Sequence, residues 1–253
     1  GVQRDKVRAY GSTLMPYTPQ EAAEEALRWK EQGFSAVKMG WGGFELPQSE
    51  CVKLVEATRN AIGDDMDMML DIGFIPSGDF NVTAASRLLL INEIREFKPY
   101  WIEEAVYPDD YEGYKMLVES TDVRIAGGEN ETTRYGFKQL IEVCKLDILQ
   151  PDITRCGGLT EAKRIGAMAT AHNTTVIPHA WSSGIVIAAS LHFIATQSNS
   201  NLLEYCVWDT PIRKEMLKQD FKLRDGYVDV PMGPGLGIEI DDEAIQKYRC
   251  DII

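Results

Sequence analysis

Short apolar runs recur along the chain with polar stretches of helical length between them. The runs include VRAYGSTL at 7–14, SAVKMG, DMDMMLDI, PYWIEEA, VRIAGGE, LDILQPDI, TTVIPHA and NLLEYC. Each is the length of a strand and mostly apolar, as expected of strands buried on both faces of a parallel sheet. The intervening segments keep helical spacing. In TPQEAAEEALRWKEQG, Ala22, Ala23, Ala26, Leu27 and Trp29 mark the apolar positions. Thr18 with Glu21 makes a capping box there, and Gly33 ends the helix. Six more helices follow: QSECVKLVEATRNAIG, VTAASRLLLINEIREF after a Gly/Pro/Ser loop, YEGYKMLVEST, YGFKQLIEVCK, LTEAKRIGAMATAHN and SGIVIAASLHFIATQ. Strict alternation without a break in composition predicts one α/β domain, a TIM-like (β/α)7β barrel over residues 1–253. A C-terminal extension from about residue 207 adds a loop, a short strand and a helix.

In a parallel barrel the carboxyl ends of all strands meet on one face. Seven polar residues sit at such ends: Lys38, Asp71, Glu103, Glu129, Asp152, His179 and Glu204. Asp71, Glu103 and Glu129 end three consecutive strands, roughly 4.8 Å apart from neighbour to neighbour, so their carboxylates can converge on one oxygen-liganded cation such as Mg2+. Taken singly, each reads first as an unrelated surface acid at a barrel loop. Asp152 and His179 follow on the next two strands. An aspartate bonded to imidazole fixes its tautomer and raises its basicity, which makes His179 the best general base in the chain. His172 and His192 fall within helices as packing or surface residues. Lys38 suits either a substrate carboxylate or an ion pair with barrel-mouth acids such as Asp71. Glu204 suits either a catalytic hydrogen bond or a salt bridge.

The 253 residues match one barrel in length, and the net charge is −13. That acidity argues against nucleic acid as partner. No apolar run is long enough to span a membrane, and no signal peptide is visible. The five cysteines are odd in number and form no C-x-x-C pair, consistent with free thiols in a reducing, cytoplasmic setting. Cys156 is close enough in sequence to Asp152 to approach the site. The glycine pairs 127–128 and 157–158 fit no phosphate-binding fingerprint and point to close backbone approach.

Together VKMG, LDIG, WIEEA, GGEN, QPDITRCGGLTE, PHAWSSG and LLEY, in this order and with the PGLGIEI tail, resemble the enolase superfamily and its mandelate racemase subgroup. The resemblance implies Asp71, Glu103 and Glu129 as Mg2+ ligands, Glu104 behind them, and Asp152–His179 as the base dyad. It implies loss of a proton α to a carboxylate, a small-molecule sugar acid as substrate and a homo-oligomeric assembly. Racemases of this type carry K-x-K on strand two, whereas this chain reads Lys38-Met39-Gly40. With one base instead of two, dehydration of an aldonate or aldarate is expected ahead of racemisation or epimerisation through Lys38. Gly73 adds no further acid, and Ala105 stands where proline is frequent. The family's N-terminal α+β capping domain has no counterpart in the sequence, so a catalytically silent metal-binding barrel is the third expectation.

Overall fold

The computed structural model describes residues 1–73 and 82–250; the Gly/Pro/Ser loop expected after strand three falls largely outside them. Eight parallel strands alternate with seven helices. They run β1 (Lys6–Leu14), α1 (Pro19–Glu31), β2 (Ala36–Gly40), α2 (Gln48–Ile62), β3 (Asp67–Asp71), α3 (Ala84–Ile94), β4 (Trp101–Glu103) and α4 (Tyr111–Ser120). Then follow β5 (Ile125–Gly127), α5 (Thr133–Glu142), β6 (Ile148–Leu149), α6 (Gly158–Ala171), β7 (Thr175–Val176), α7 (Gly184–Ala195) and β8 (Leu202–Cys206). Consecutive strands pair in parallel from β1 to β7, and β8 returns to pair with β1. Between β7 and β8 the wall is joined by the Val176 N–H donating to the Asn199 carbonyl at 2.9 Å. The (β/α)7β barrel is therefore the observed fold.

Period-two alternation along the strands separates two cores. Val37, Met39, Met68 and Leu70 face the helices and join the large outer core. Tyr10, Ala36, Met69, Trp101, Ala126, Ile148, Ile177 and Leu202 fill the barrel interior. Trp101 is edge-on to Tyr10 with ring centroids 5.5 Å apart. Stepping two residues onward from Ala36, Met69, Trp101, Ile177 and Leu202 gives Lys38, Asp71, Glu103, His179 and Glu204. The polar residues are thus the next inward layer above an apolar plug.

Two local expectations differ and one holds. Thr18 caps α1 by accepting the Glu21 N–H at 3.3 Å, but the Glu21 carboxylate bonds the Thr18 hydroxyl at 2.7 Å instead of its backbone. The reciprocal box forms at α3, between Thr83 and Ser86. Gly33 does end α1, in left-handed backbone at φ +93°. The tail holds more than one strand and a helix: α8 (Pro211–Glu215), β9 (Leu223–Arg224), β10 (Tyr227–Asp229) and α9 (Asp242–Tyr248). Asp225-Gly226, at φ +50° and +80°, makes the two-residue turn that pairs β9 with β10, and Asp-Gly is a strong hairpin signal. β10 then adds antiparallel to the start of β1.

Candidate active site

The seven polar residues gather at the carboxyl end of the barrel, but not all of them end strands. Lys38 and Glu204 lie within β2 and β8, and Asp71 and Glu103 end β3 and β4. Glu129, Asp152 and His179 lie beyond β5, β6 and β7. Gly128 at φ +111° bends the chain after β5. Pro151 and Pro178 carry no N–H to continue a ladder after β6 and β7.

Asp71, Glu103 and Glu129 are all buried, and one carboxylate oxygen from each lies within 4.8 Å of the others. Burial and then the neighbouring Glu103 charge push the Asp71 carboxyl well above the usual range. Three buried acids at this spacing need a compensating cation, and an all-oxygen donor set suits a hard ion such as Mg2+. The residues therefore fit the metal implied by the sequence. The Gly73 N–H donates to Asp71 Oδ1 at 3.0 Å, and the Trp101 indole N–H donates to Glu103 Oε2 at 2.9 Å.

Glu104 points away from this cluster. Its backbone is left-handed at φ +48°, and its carboxylate accepts the Gly128 N–H at 2.7 Å. Burial lifts its carboxyl to about 7 against that bond. Gly73 is small for a reason the sequence concealed: a Cβ there would lie 2.5 Å from the Glu104 Cβ.

His179 Nδ1 lies 2.8 Å from Asp152 Oδ2, and its Nε2 lies 3.3 Å from Glu129 Oε2. Asp152 is also held by the Thr154 N–H at 2.7 Å and the Thr154 hydroxyl. Burial opposes charge on the imidazole, but Glu204, Asp152 and Glu129 outweigh it and raise His179 to about 9. Asp152 is lowered because its bonds to His179 and Thr154 overcome its burial.

Lys38 Nζ is clasped by Glu103 Oε1 and, at 2.8 Å, by Glu204 Oε1. Burial works against its charge, yet these two carboxylates hold it well above the ordinary lysine range. The ion pair with barrel-mouth acids is thus made, with Glu103 and Glu204 as the partners. Glu204 also accepts the Ser12 hydroxyl at 2.8 Å and the Ala180 N–H at 2.6 Å. Burial disfavours its charge, but Lys38 and His179 bring its carboxyl down to about 2. Glu204 is therefore ionised and orients the lysine.

A cleft of about 530 Å3 opens over these groups, lined also by Trp41, Arg155 and Trp181. Arg155 reaches Glu129 Oε1 at 3.3 Å. Ser12, Thr154, Trp101 and Arg155 were not singled out from sequence. Thr154 had a signal, a hydroxyl two residues past an aspartate; Ser12 and Trp101 depend on strands distant in sequence. Cys156 is buried outside the cleft lining, with its thiol pushed up by burial to about 11. His172 caps α6, and His192 Nε2 lies 3.1 Å from the Leu236 carbonyl, both away from the cleft. Among the described residues no helix is long and apolar enough to cross a membrane.

Known proteins resemble this chain along nearly its whole length. It is 32% identical to the D-galactarolactone cycloisomerase of Agrobacterium fabrum, over 98% of this chain and 67% of that protein. It is 33% identical to the D-galactonate dehydratase of Cronobacter sakazakii, over 97% of this chain and 65% of that protein. Among solved structures, the 3,6-anhydro-D-galactonate cycloisomerase of Zobellia galactanivorans superposes with a TM-score of 0.87 at 35% identity, covering 98% of this chain and 67% of that one. The chain thus spans about two thirds of the length of these relatives. Residues 21–244 match the family described as Enolase C-terminal domain-like. The chain belongs to that family and, within the enolase superfamily, to the mandelate racemase subgroup.

Proposed function

We propose that the protein eliminates water from a sugar acid, an aldonate or aldarate, to give a 2-keto-3-deoxy acid, with Mg2+ as cofactor. The observation that carries this reading is the asymmetry of the cleft. One side presents the Asp152–His179 dyad. On the other, Lys38 is kept protonated between Glu103 and Glu204. At position 40 a Cβ would lie 2.7 Å from the Asp71 Cβ, so no second base fits there without displacing a carboxylate of the acidic cluster. The sugar-acid names of the relatives support the substrate class.

In this reading Asp71, Glu103 and Glu129 hold the metal. When bound, Mg2+ supplies Lewis-acid stabilisation of the negative charge that develops on the substrate carboxylate. His179 Nε2 takes the α-proton, while Asp152 on Nδ1 fixes the tautomer and orients the ring. Charge balance on Glu129 matters here, because that carboxylate helps to hold the imidazole protonated. The ammonium of Lys38 has three donors, two committed to Glu103 and Glu204, and the third is left for a substrate carboxylate oxygen. As the Cα–H electrons form the Cα–Cβ double bond, the Cβ–O bond breaks. The proton on His179 passes to the leaving hydroxyl, which departs as water, and the enol ketonises.

The test is a panel of aldonates and aldarates incubated with the chain and Mg2+ in D2O. 2-Keto-3-deoxy product that depends on Mg2+ and is lost in His179→Asn is the expected result. Deuterium at the α-carbon without elimination would instead indicate racemisation or epimerisation. Ring opening or closure without water loss would indicate cycloisomerisation, and Mg2+ binding without exchange a silent barrel.

A further inference from the structure

We propose that Trp41 is a specificity-determining residue whose indole stacks on the carbon-bound hydrogens of a sugar-acid chain, an inference that rests on the sugar-acid reading above. Trp41 sits at φ +54°, ψ −143°, a backbone region that belongs to glycine. A bulky residue persists in such a conformation only where the surroundings over-determine it. Here they do. The Trp41 N–H donates to the Asp71 carbonyl at 3.0 Å, and its own carbonyl accepts the Phe44 N–H at 3.0 Å. The glycines that follow are packed against β1: a Cβ on Gly42 would lie 2.4 Å from the Met15 carbonyl oxygen, and one on Gly43 would lie 2.2 Å from that of Pro16. The turn is clamped from both sides, and the strained position inside it carries tryptophan although glycine would fit without strain.

Core packing does not explain that choice. The Trp41 side chain lines the catalytic cleft, and the residue is 39% exposed. Among the described residues no ring or cation stacks on its face, and its indole N–H has no acceptor. Trp181, by contrast, is braced against Trp208 with centroids 6.1 Å apart. Trp41 therefore presents an idle apolar face and an idle donor to whatever enters the cleft. An acyclic sugar acid offers both complements, C–H groups for the face and hydroxyls for the N–H. A simple α-hydroxy acid, which ends at the groups that Mg2+ and Lys38 would bind, offers neither.

The experiment compares the chain with Trp41→Gly and Trp41→Ala, all loaded with Mg2+. Calorimetric Kd values are taken for six-carbon aldonates and aldarates and for glycolate, with KM and kcat for any acid that turns over. Both variants are expected to weaken six-carbon binding about tenfold or more, the scale of one lost aromatic stack. Glycolate affinity should stay within about twofold, and KM should rise with kcat little changed. Trp41→Gly should melt above Trp41→Ala by about 2–6 °C, inverting the usual order, because only glycine relaxes at this φ. Unchanged six-carbon affinity overturns the assignment of Trp41 and leaves the sugar-acid reading standing. An alanine variant as stable as the glycine variant also overturns it, by removing the strain. If the parent chain binds no sugar acid, both fall.

Discussion

Lys38 and the Asp152–His179 pair reach the same cleft from different footings. Lys38 is flanked in register by Ser12 of β1 and Met69 of β3, so both neighbouring strands hold its backbone. Asp152 and His179 stand on loops past strands of two residues, after prolines that cannot extend a ladder. The strand-borne ammonium is locked by two buried carboxylates. The loop-borne dyad is held by side-chain bonds to Thr154 and Glu129. The ammonium is thus held by the sheet and two carboxylates, and the dyad by side-chain bonds. The first kind of residue should be costly to fold without, and the second costly to turn over without.

Three substitutions probe that division, and the largest effect belongs to the loops. His179→Asn should lower kcat about 10^2- to 10^4-fold, the span of general-base catalysis, while losing its bonds to the buried Asp152 and Glu129 costs less stability than losing Lys38. A stability loss as large as that of Lys38→Met would erase the distinction. Lys38→Met should lose more stability, and KM should rise because the donor to the substrate carboxylate is gone. Leaving Glu103 and Glu204 buried without their cation costs about 3–5 kcal/mol, and denaturant titration would reveal it. Thr154→Val removes one of the two bonds on Asp152 Oδ1, at about 1 kcal/mol, and should reduce kcat more than stability.

Two further measurements sharpen the comparison. Saturating Mg2+, at about a hundred times its Kd, should add about 2.7 kcal/mol of stability, with the thermal shift lost in Asp71→Asn. The smallest effect lies on the outer wall, where Glu161 accepts the Arg134 N–H at 3.0 Å and pairs with Arg134 and Arg164. These bonds, the Arg134 backbone first, hold Glu161 at about 2. A depressed carboxyl stabilises the fold above its unfolded value of about 4.3, and that contribution is lost as pH falls towards 2. Melting curves of Glu161→Gln should therefore lose part of the acid-side slope in that window.

The barrel was legible because strand and helix periods alternate without interruption, and the site because five of its seven polar residues follow an inward apolar one by two positions. Met69–Asp71 and Leu202–Glu204 carry that signal openly. Glu129 breaks the parity, since Gly128 turns the chain in a way that composition alone does not announce. The clasp on Lys38 was hidden for another reason. Glu103 and Glu204 come from strands far apart in the chain, and only barrel closure brings both to one ammonium. Gly40 was read as a missing base; its contact with the Asp71 side chain adds that a side chain there has no room. The β9–β10 hairpin went unread although its Asp-Gly turn was in plain view, because the polar residues around it mask a strand pattern.

Strand β1 carries more obligations than any other. Its first residues pair with β10, its last with β2, and its far edge with β8, so Arg8 faces both Leu202 and Tyr227. A ribosome adding about 5–20 residues per second needs tens of seconds to travel from Arg8 to those partners. Through that interval β1 has an unpaired edge that a chaperone, or another nascent chain, can occupy. The speed of synthesis between β2 and β8 therefore sets how long that edge stays open.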